Sequence, residues 1–460
     1  MDPNVTEDVD LLVIGGGKAG KSLAMDRATA GQAVAMVERD KIGGTCINVA
    51  CIPTKALVAS ARTLLTARRA GDLGVTVDGG PAVALERLRA HKEGVVGGMV
   101  AAHKQLFADS GMDFVLGTAR FVGERTVEVT TADGGTRRLR GRDVVINTGT
   151  TPAHPDLPGL ADARPWDSET ILRLERLPES VVVLGGGYVG CEFASMLAVF
   201  GSRVTLLQGR DQLLPREDPD VAAAVADVLT DQGVDVRLGA RAAAARRDAA
   251  GVVVTLTDGT EVRAADLLVA TGRAPVTEGL NLEAAGVALD QRGFVVVDDH
   301  LRTSAEREWS AGDVAGSPQF THASWHDFRV LKAQLTGGDA TVTGRLVPYC
   351  VFVTPELARV GMSETEARAA GREVKVARLP VAAIPRAKTL RETVGQWKAV
   401  VDAGTDEILG VALLGHAAGE VVTAVQMAML GHLTYQQVRD AVITHPTMGE
   451  GLNLLFDTLG

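Results

Sequence analysis

The 460-residue chain has few cysteines, no excess of positive charge and no long apolar run. Four cysteines are too few for a disulfide framework in a chain of this length. A net charge of −10 argues against nucleic acid or an anionic membrane surface as a partner, because either would need a basic face. No apolar run reaches the roughly 18 residues of a membrane span, and the acidic N-terminus lacks the features of a signal peptide. We therefore expect a cytoplasmic protein with no membrane or nucleic-acid partner.

The length of the chain exceeds what one ordinary hydrophobic core can organise, so the sequence predicts about three domains. Hydrophobic residues make up 46% of the chain and charged residues 23%, as in a soluble globular protein. From about residue 348 the pattern changes to alternating strands at 374–379, 397–401 and 408–414, followed by amphipathic helices. This change predicts a separate C-terminal α+β module.

The chain opens with a strand, a glycine-rich turn and a helix. Apolar residues 11–14 precede residues 15–20 (GGGKAG), a helical pattern extends to about residue 31, and a second strand at 33–37 ends in Glu38. In such a βαβ unit Gly15, Gly17 and Gly20 let the backbone approach a pyrophosphate, and the acid accepts the ribose hydroxyls. The pattern predicts a dinucleotide-binding unit.

The same unit occurs a second time. Strand 181–184 leads into residues 185–190 (GGGYVG), a helix and the strand 203–207, with Gly185, Gly187 and Gly190 at the positions that matter. Two such units predict two bound dinucleotides.

Cys46 and Cys51 lie five residues apart in residues 43–55 (GGTCINVACIPTK). The glycines before them and the Pro-Thr-Lys after them predict a strand, a tight turn and the start of a helix. A helix N-terminus and a nearby lysine both favour the thiolate form of a thiol. The pattern therefore favours a redox-active pair over two inert core thiols.

Residues 43–55 closely resemble the flavoprotein disulfide reductases, the family of lipoamide dehydrogenase, glutathione reductase and mercuric reductase. Residues 148–152 (TGTTP) and 270–275 (ATGRAP) resemble the segments through which the family's chain leaves and re-enters the FAD domain, and residues 311–313 (AGD) resemble the segment whose aspartate binds the ribityl chain. Residues 17–21, 348–352, 359–362 and 379–386 resemble the reactive chlorine resistance flavoproteins, which group with the mercuric reductases and lipoamide dehydrogenases.

The resemblance implies an α/β fold with two Rossmann-like dinucleotide-binding domains and a C-terminal α+β dimerisation domain. We expect the first part of the FAD-binding domain at 1–150, the NAD(P)-binding domain at 151–273, the central part of the FAD domain at 274–346 and the dimerisation domain at 347–460. The expected assembly is a homodimer.

The resemblance also implies roles for individual residues. Cys51 is expected nearer the flavin as the charge-transfer thiolate, and Cys46 is the outer thiol that exchanges with substrate. Lys55 resembles the lysine at the flavin edge and Glu192 the acid that pairs with it, since a buried ammonium needs such a partner. Tyr188 resembles the aromatic side chain that covers the flavin until nicotinamide displaces it.

Near the C-terminus, residues 445–450 (HPTMGE) match the family's His-Pro-x-x-x-Glu element. A carboxylate at Glu450 would orient His445 as an acid/base near neutral pH. We expect this pair to act on Cys46 of the partner subunit. The residues expected at the two cofactor sites are Gly15, Gly17, Gly20, Glu38, Gly44, Thr45, Lys55, Thr148, Gly149, Gly185, Gly187, Gly190, Gln208, Arg210, Gly272, Asp313 and Ala323.

The sequence departs from the family at Gln208, where NAD-using relatives carry an acid, and Arg210 follows two residues later. Loss of the acid removes a repulsion against a 2′-phosphate that an arginine can bind, which favours NADPH over NADH. The chain also has neither a C-terminal cysteine pair nor an N-terminal metal-binding domain, which argues against a mercuric reductase.

The expected activity is reduction of FAD by NAD(P)H, reduction of Cys46–Cys51 by FAD, and delivery of two electrons to a disulfide, a soft metal ion or an oxidant. A second reading reverses the flow, as in lipoamide dehydrogenase or a dithiol oxidase. A third, non-enzymatic reading is a redox sensor or soft-metal binder that uses Cys46 and Cys51; the second dinucleotide unit and the His445–Glu450 pair argue against it. We expect no resident metal.

The remaining sequence features carry smaller expectations. Cys191 in an apolar helix and Cys350 before an apolar strand are expected to be structural, and the Ala-Arg-rich residues 239–251 predict a surface helix end and turn. His322, His326 and the run 379–386 receive no role; Arg386 and Lys388 could border the substrate entrance or support the dimer.

Overall fold

The computed structural model describes residues 5–460 and has the predicted α/β fold class. The chain divides into two compact units. The first unit contains the chain up to Ala56 together with Ala90–Ala153 and Arg273–Arg345, and the second contains Leu57–Arg89, His154–Gly272 and Leu346–Gly460. The four domain boundaries expected from the sequence stay predictions.

The α-helices of the described residues follow in chain order. They are α1 (Lys18–Thr29), α2 (Gly44–Val49), α3 (Cys51–Arg68), α4 (Leu85–Ser110), α5 (Tyr188–Phe200), α6 (Pro219–Asp231), α7 (Thr321–Leu335), α8 (Glu364–Ala369), α9 (Pro385–Leu390), α10 (Ala418–Leu430), α11 (Tyr435–Arg439) and α12 (Gly451–Asp457). In this part of the chain, none of the helices combines the length and the apolar character needed to cross a membrane.

The strands of the first unit form its central sheet and one short pair. They are β1 (Thr6–Ile14), β2 (Val34–Glu38), β3 (Asp113–Gly123), β4 (Thr126–Thr131), β5 (Thr136–Ile146), β6 (Thr150–Pro152), β14 (Arg273–Pro275) and β15 (Glu308–Ser310). The strands of the second unit are β7 (Ser180–Leu184), β8 (Arg203–Leu207), β9 (Asp235–Arg237), β10 (Ala242–Asp248), β11 (Gly251–Leu256), β12 (Glu261–Ala264), β13 (Asp266–Val269), β16 (Tyr349–Val351), β17 (Glu356–Gly361), β18 (Val374–Pro380), β19 (Gln396–Asp402) and β20 (Ile408–Gly415).

The first unit is built on a parallel sheet of order β3-β2-β1-β5-β15, and antiparallel β4 connects β3 to β5. The strands β1 and β2 are buried because their apolar residues face helices or the meander on both sides. The glycine-rich turn follows the carboxyl end of β1, where ligands of open α/β sheets bind. The two expected crossover segments pair with each other, because β6 runs antiparallel to β14.

The second unit contains three sheets. The parallel order β13-β7-β8-β9 repeats the dinucleotide-binding topology, and the three-stranded antiparallel sheet β10-β11-β12 follows it in the chain. The C-terminal module is a five-stranded antiparallel sheet of order β16-β17-β20-β19-β18, and its core includes the fully buried Trp397 and Phe456. The expected change to an α+β module is therefore present.

Two local expectations are wrong. Residues 242–248 form β10 rather than a helix end, because they pair with the valine-rich β11 and this tertiary pairing overrides the helix propensity of alanine. Cys350 lies inside the short strand β16 and not before a strand; its backbone pairs with Ala358 of β17.

Candidate active site

The first glycine-rich turn packs too closely for any side chain. Gly15 has φ of +99°, and a Cβ at Gly20 would lie 2.7 Å from the carbonyl oxygen of Gly15. The buried Asn147, at the end of β5, accepts a hydrogen bond from the backbone N–H of Gly20 at 2.9 Å and donates to the carbonyl of Ala311 at 2.6 Å. Asn147, which the sequence analysis did not single out, therefore holds the turn open for a pyrophosphate.

Glu38 lies at the end of β2, beside the same turn. Its carboxylate accepts hydrogen bonds from the backbone N–H groups of Gly16 at 2.7 Å and Asp40 at 2.9 Å. These bonds fix the carboxylate at the edge of the turn, where the ribose of a bound dinucleotide would lie.

Asp313 is held in a buried polar network. Thr150 donates a hydrogen bond to the Asp313 carboxylate at 2.8 Å, and Arg273 donates to the hydroxyl of Thr150 at 2.8 Å. Burial raises the pKa of Asp313. On the preceding residue, the backbone N–H of Gly312 donates to the fully buried Asp327 at 2.7 Å. Asp327, which has no role assigned from the sequence, positions the segment that carries Asp313.

The other expected FAD-site residues lie in the same unit. A Cβ at Gly44 would lie 2.8 Å from the carbonyl oxygen of Gly16, so the turn before Cys46 packs directly on the glycine-rich turn. Thr148 donates to the carbonyl of Val276 at 2.7 Å, and Val276 in turn donates to the carbonyl of Gly149 at 3.0 Å. Thr45 lies in α2, Lys55 in α3 and the buried Ala323 in α7.

Cys46 and Cys51 lie on consecutive helices. Cys46 is in the short helix α2, and Cys51 is the first residue of α3, after a break at Ala50. The structure holds the two cysteines as thiols in hydrogen-bonding contact. The hydroxyl of Thr321, at the start of α7, lies 3.5 Å from the Cys51 sulfur. The expected helix start at the dithiol is present, and Thr321 is a contact that the sequence did not indicate.

The expectation that the surroundings of the dithiol favour the thiolate form stays a prediction, and the local effects on Cys46 oppose one another. Its hydrogen bond to Cys51, its burial and the negative charge of Cys51 together raise its pKa, against the weaker opposing effects of Thr321 and Lys21. The two thiols are close enough to share one proton, and the pair therefore has one thiol and one thiolate before it has two thiolates.

The second glycine-rich turn repeats the first. Gly185 has φ of +114°, and a Cβ there would lie 2.5 Å from the carbonyl oxygen of Ala270; Gly187 and Gly190 complete the turn at the start of α5. Gln208, at the end of β8, takes the place that Glu38 has in the first unit and packs against Gly186. Its amide donates to the carbonyl of Gln212 at 3.0 Å. Gly272, with φ of +144°, is the last residue of the segment His154–Gly272 of the second unit.

Two arginines lie close to Gln208 in the fold, at positions 210 and 241. The side chain of Arg210 is exposed and has no hydrogen bond or ion pair within residues 5–460. Arg241, also exposed and equally without a side-chain partner in the described chain, packs against Gly209. The sequence analysis missed Arg241 because it lies more than thirty residues further along the chain. The edge of the second glycine-rich turn therefore carries two arginine side chains, and position 208 has an amide where an acid would repel a phosphate.

His445 and Glu450 form the expected pair. Nδ1 of His445 lies 2.7 Å from Oε2 of Glu450, which immediately precedes α12. The side chain of His445 is 69% exposed and that of Glu450 only 12%. The carboxylate therefore orients an imidazole that projects into solvent from its own subunit.

The helix α5 carries two further expected residues. Tyr188 is its first residue and packs against the core of the second unit, and the buried Glu192 accepts a hydrogen bond from the backbone N–H of Phe352 at 2.9 Å. The expected pairing of Glu192 with Lys55 stays a prediction.

The remaining candidates are structural or unassigned. Cys191 is fully buried, and burial raises its pKa. The Cys350 sulfur lies 3.8 Å from the Glu356 carboxylate. His322 stacks on Phe320 with ring centroids 5.3 Å apart, and burial lowers the pKa of His326. Within residues 5–460 no group of three or more His, Cys, Asp or Glu side chains is arranged to hold a metal ion.

The run 379–386 packs inward for the most part. Leu379, Val381 and Ile384 are buried in the core of the C-terminal module. Arg386 has a 3.4 Å hydrogen bond to the hydroxyl of Thr389. The apolar residues of the run thus stabilise the module, and its one cationic residue, Arg386, is partly exposed.

The sequence matches two models of one protein family. The pyridine nucleotide-disulphide oxidoreductase model matches residues 9–327, and the model of the dimerisation domain of these enzymes matches residues 347–455. The probable pyridine nucleotide-disulfide oxidoreductase RclA of Escherichia coli (strain K12) is 40% identical over 451 residues, which are 97% of this chain and 98% of the relative.

Two further comparisons agree. A mercuric reductase of Streptomyces lividans is 38% identical over 454 residues, which are 98% of this chain and 96% of the relative. The solved structure of the Cu(II) complex of the HOCl-induced flavoprotein disulfide reductase RclA from Escherichia coli superposes with a TM-score of 0.91 at 39% identity, over 99% of this chain and all of the other. The glycine turn, Glu38 and the buried Asp313 network of the first unit fit the FAD that these enzymes use.

Proposed function

Since the chain belongs to the pyridine nucleotide-disulphide oxidoreductase family, we propose that it transfers two electrons from NAD(P)H to an external acceptor. The electrons pass through FAD and then through the Cys46–Cys51 pair. FAD, when bound, relays the two electrons of the nicotinamide to the sulfur pair. The observation that carries the proposal is the contact between the two thiols at the start of α3, in the unit that has the Glu38 and Asp313 sites.

The sulfur chemistry balances in both halves of the cycle. Reduction breaks the Cys46–Cys51 bond and adds two electrons and two protons. Re-formation of the bond returns both electrons to the acceptor, which is one disulfide, one Hg(II) ion or two Cu(II) ions. Cys46 exchanges with the acceptor, and Cys51 is the thiolate that remains next to the flavin. The family resemblance of residues 43–55 supports this division.

We take a soft metal ion as the first acceptor to test. The supporting observation is that a copper complex and a mercuric reductase are among the relatives that match this chain over nearly its full length. Thiolates are the side chains that such ions prefer. A small-molecule disulfide is the second acceptor to test, because the His445–Glu450 pair offers the proton that a departing thiolate needs.

The preferred donor is NADPH. Its 2′-phosphate would meet Arg210 and Arg241 at the edge of the second turn, with Gln208 in place of a repelling acid. Among the residues around the flavin, Lys55, Glu192 and Tyr188 are proposed in the roles that the resemblance gives them. The assembly is a homodimer through the matched dimerisation domain.

The thiol count tests the electron path. FAD-loaded protein is incubated anaerobically with or without NADPH, denatured in acid and alkylated, and the added mass is measured. We expect two alkylated cysteines (Cys191 and Cys350) in the oxidised protein and four after NADPH. Cu(II), Hg(II) or a disulfide acceptor should then return the count to two. A count that NADPH does not change would refute the proposal. The Cys191→Ala variant is the matched control: both counts should fall by one, and NADPH should still add two.

A further inference from the structure

The ammonium of Lys21 is buried against the turn that leads into the helix carrying Cys46. Lys21 lies in the first turns of α1, is 3% exposed, and donates a hydrogen bond at 2.7 Å to the carbonyl oxygen of Gly43. Gly43 immediately precedes α2, the helix that carries Cys46. The side chain therefore reaches from the helix after the glycine-rich turn to the backbone three residues before the outer thiol.

This ammonium forms no ion pair with a carboxylate anywhere in residues 5–460. Burial lowers its pKa to about 8, and the positive charge of Lys18 acts in the same direction; the negative charges of Cys46 and Glu38 oppose this. In return, the charge of Lys21 lowers the pKa of Cys46. An uncompensated buried cation is costly, so its position beside a thiol that can become anionic calls for an explanation.

The other charged groups near this position differ from Lys21 in exposure or in partner. Lys18 lies 4.1 Å above the ring of Trp325 and is only half buried. His103 bonds the carbonyl of Met99 at 2.8 Å, and burial lowers its pKa. Glu38 is already engaged with backbone N–H groups. Among these groups, Lys21 is the buried cation that contacts the segment leading to Cys46.

We infer that Lys21 is a positioning residue that raises the reduction potential of the Cys46–Cys51 pair by stabilising the negative charge of its reduced form. The inference rests on the proposed function, because it requires the two cysteines to cycle between disulfide and dithiol. The disulfide is neutral, whereas the reduced pair with one thiolate is an anion. A fixed cation nearby therefore stabilises the reduced form more than the oxidised form.

The reduction potential of the pair is the direct measurement. Holoenzyme is equilibrated anaerobically with defined ratios of reduced to oxidised dithiothreitol, quenched in acid and alkylated, and the two-thiol step is read from the intact mass. We expect Lys21→Met to shift the midpoint to a lower potential by about 30 mV, which is a tenfold change in the equilibrium constant of a two-electron couple. Lys21→Gln, which keeps a donor for Gly43, should shift the midpoint in the same direction.

Two variants control for charge and for general effects. Lys21→Arg keeps the cation and should restore most of the wild-type potential. Lys41→Met removes an exposed lysine that pairs with Asp40 on the same loop, and its potential should equal that of the wild type. Bound FAD is measured in each variant from its absorbance.

The outcomes separate the two proposals. Wild-type potentials in both Lys21→Met and Lys21→Gln would overturn the inference, and so would a loss of FAD with an unchanged potential, because Lys21 would then serve the cofactor alone. If the wild-type protein shows no two-thiol step at any ratio, the proposed function itself is wrong.

Discussion

At the scale of single residues, the division of work between Cys46 and Cys51 is open to a spectroscopic test. From the family resemblance of residues 43–55, we propose that the thiolate of the reduced pair lies on Cys51 and that Cys46 is the outer thiol. Cys46→Ser should leave a long-wavelength thiolate-to-flavin absorbance in the oxidised flavoprotein, and Cys51→Ser should abolish it. If both variants have the same spectrum, the inner and outer thiols are assigned wrongly.

The preference for NADPH is a second residue-scale prediction. Arg210→Ala and Arg241→Ala should each lower kcat/KM for NADPH more than for NADH, on the order of tenfold, the usual effect of losing a hydrogen bond to a charged group. Gln208→Glu should shift the preference towards NADH, because the new carboxylate repels the 2′-phosphate. Arg203→Ala, at the opposite end of β8, is the control and should change neither value. Equal losses for both cofactors would contradict the preference.

The sequence predicted the residues that define the family and missed those that support them. Gly15, Glu38 and Cys51 stand in short local patterns whose geometry is the same wherever they occur. Asn147, Asp327 and Arg241 act on segments far away in the chain, through contacts that only the folded backbone creates. Local patterning therefore identifies the cofactor-binding turns but not the side chains that hold them in place.

At the scale of elements, hydrophobic periodicity predicted the strands well. The expected strand at 203–207 matches β8, and those at 374–379, 397–401 and 408–414 match β18, β19 and β20 to within one residue at each end. The failure at 239–251 has a physical reason: alanine and arginine favour a helix locally, but the unpaired edge of β11 offers backbone hydrogen bonds that a strand can use.

The sheet edge at β15 carries a pH-dependent element. Glu308 is buried, its Oε1 accepts from the backbone N–H of Arg125 at 2.8 Å, and its Oε2 has no partner within residues 5–460. Burial raises its pKa to about 7. Below the usual carboxyl pKa, Glu308 is protonated in both the folded and the unfolded chain, and its contribution to the free energy of unfolding is then fully present. Stability is lost as the pH rises towards 7, because the unfolded chain ionises first.

Glu308→Gln should remove this pH dependence, since the amide does not ionise. The Tm of Glu308→Gln minus the Tm of the wild type, both measured by circular dichroism, should increase from pH 5 to pH 8. Glu306→Gln, an exposed neighbour, is the matched control. A difference in Tm that is the same at both pH values would show that Glu308 does not titrate in this range.

At the scale of the whole molecule, the C-terminal module exposes several large apolar side chains. Met427, Leu430, Leu433, Val442 and Leu454 are exposed apolar side chains within less than thirty residues of each other in the chain. Where such side chains form one contiguous patch, they are typical of protein interfaces. The family match to a dimerisation domain covers this segment, and His445 lies within it.

The dimer gives His445 its proposed task. Its imidazole, oriented by Glu450 and exposed on its own subunit, is free to meet Cys46 of the partner subunit, to take up the proton of that thiol and to return it to a departing substrate sulfur. His445→Gln should lower disulfide turnover by about 10²–10⁴, the range for a positioned acid/base. The rate at which NADPH bleaches the flavin should barely change, and this rate is the internal control.

A mixed dimer of one His445→Gln subunit and one Cys46→Ser subunit isolates the interface. Each proposed site combines Cys46 of one subunit with His445 of the other, so one site of the mixed dimer keeps both residues and the other site loses both. We expect about half of the wild-type turnover, whereas each homodimeric variant should be nearly inactive towards disulfides. The two subunits carry different affinity tags, and tandem purification yields the mixed dimer alone.

An inactive mixed dimer would mean that His445 acts within its own subunit. Full activity of the His445→Gln homodimer with Cu(II) or Hg(II), alongside its loss with disulfides, would identify a metal acceptor, because reduction of the ion needs no proton at a leaving sulfur.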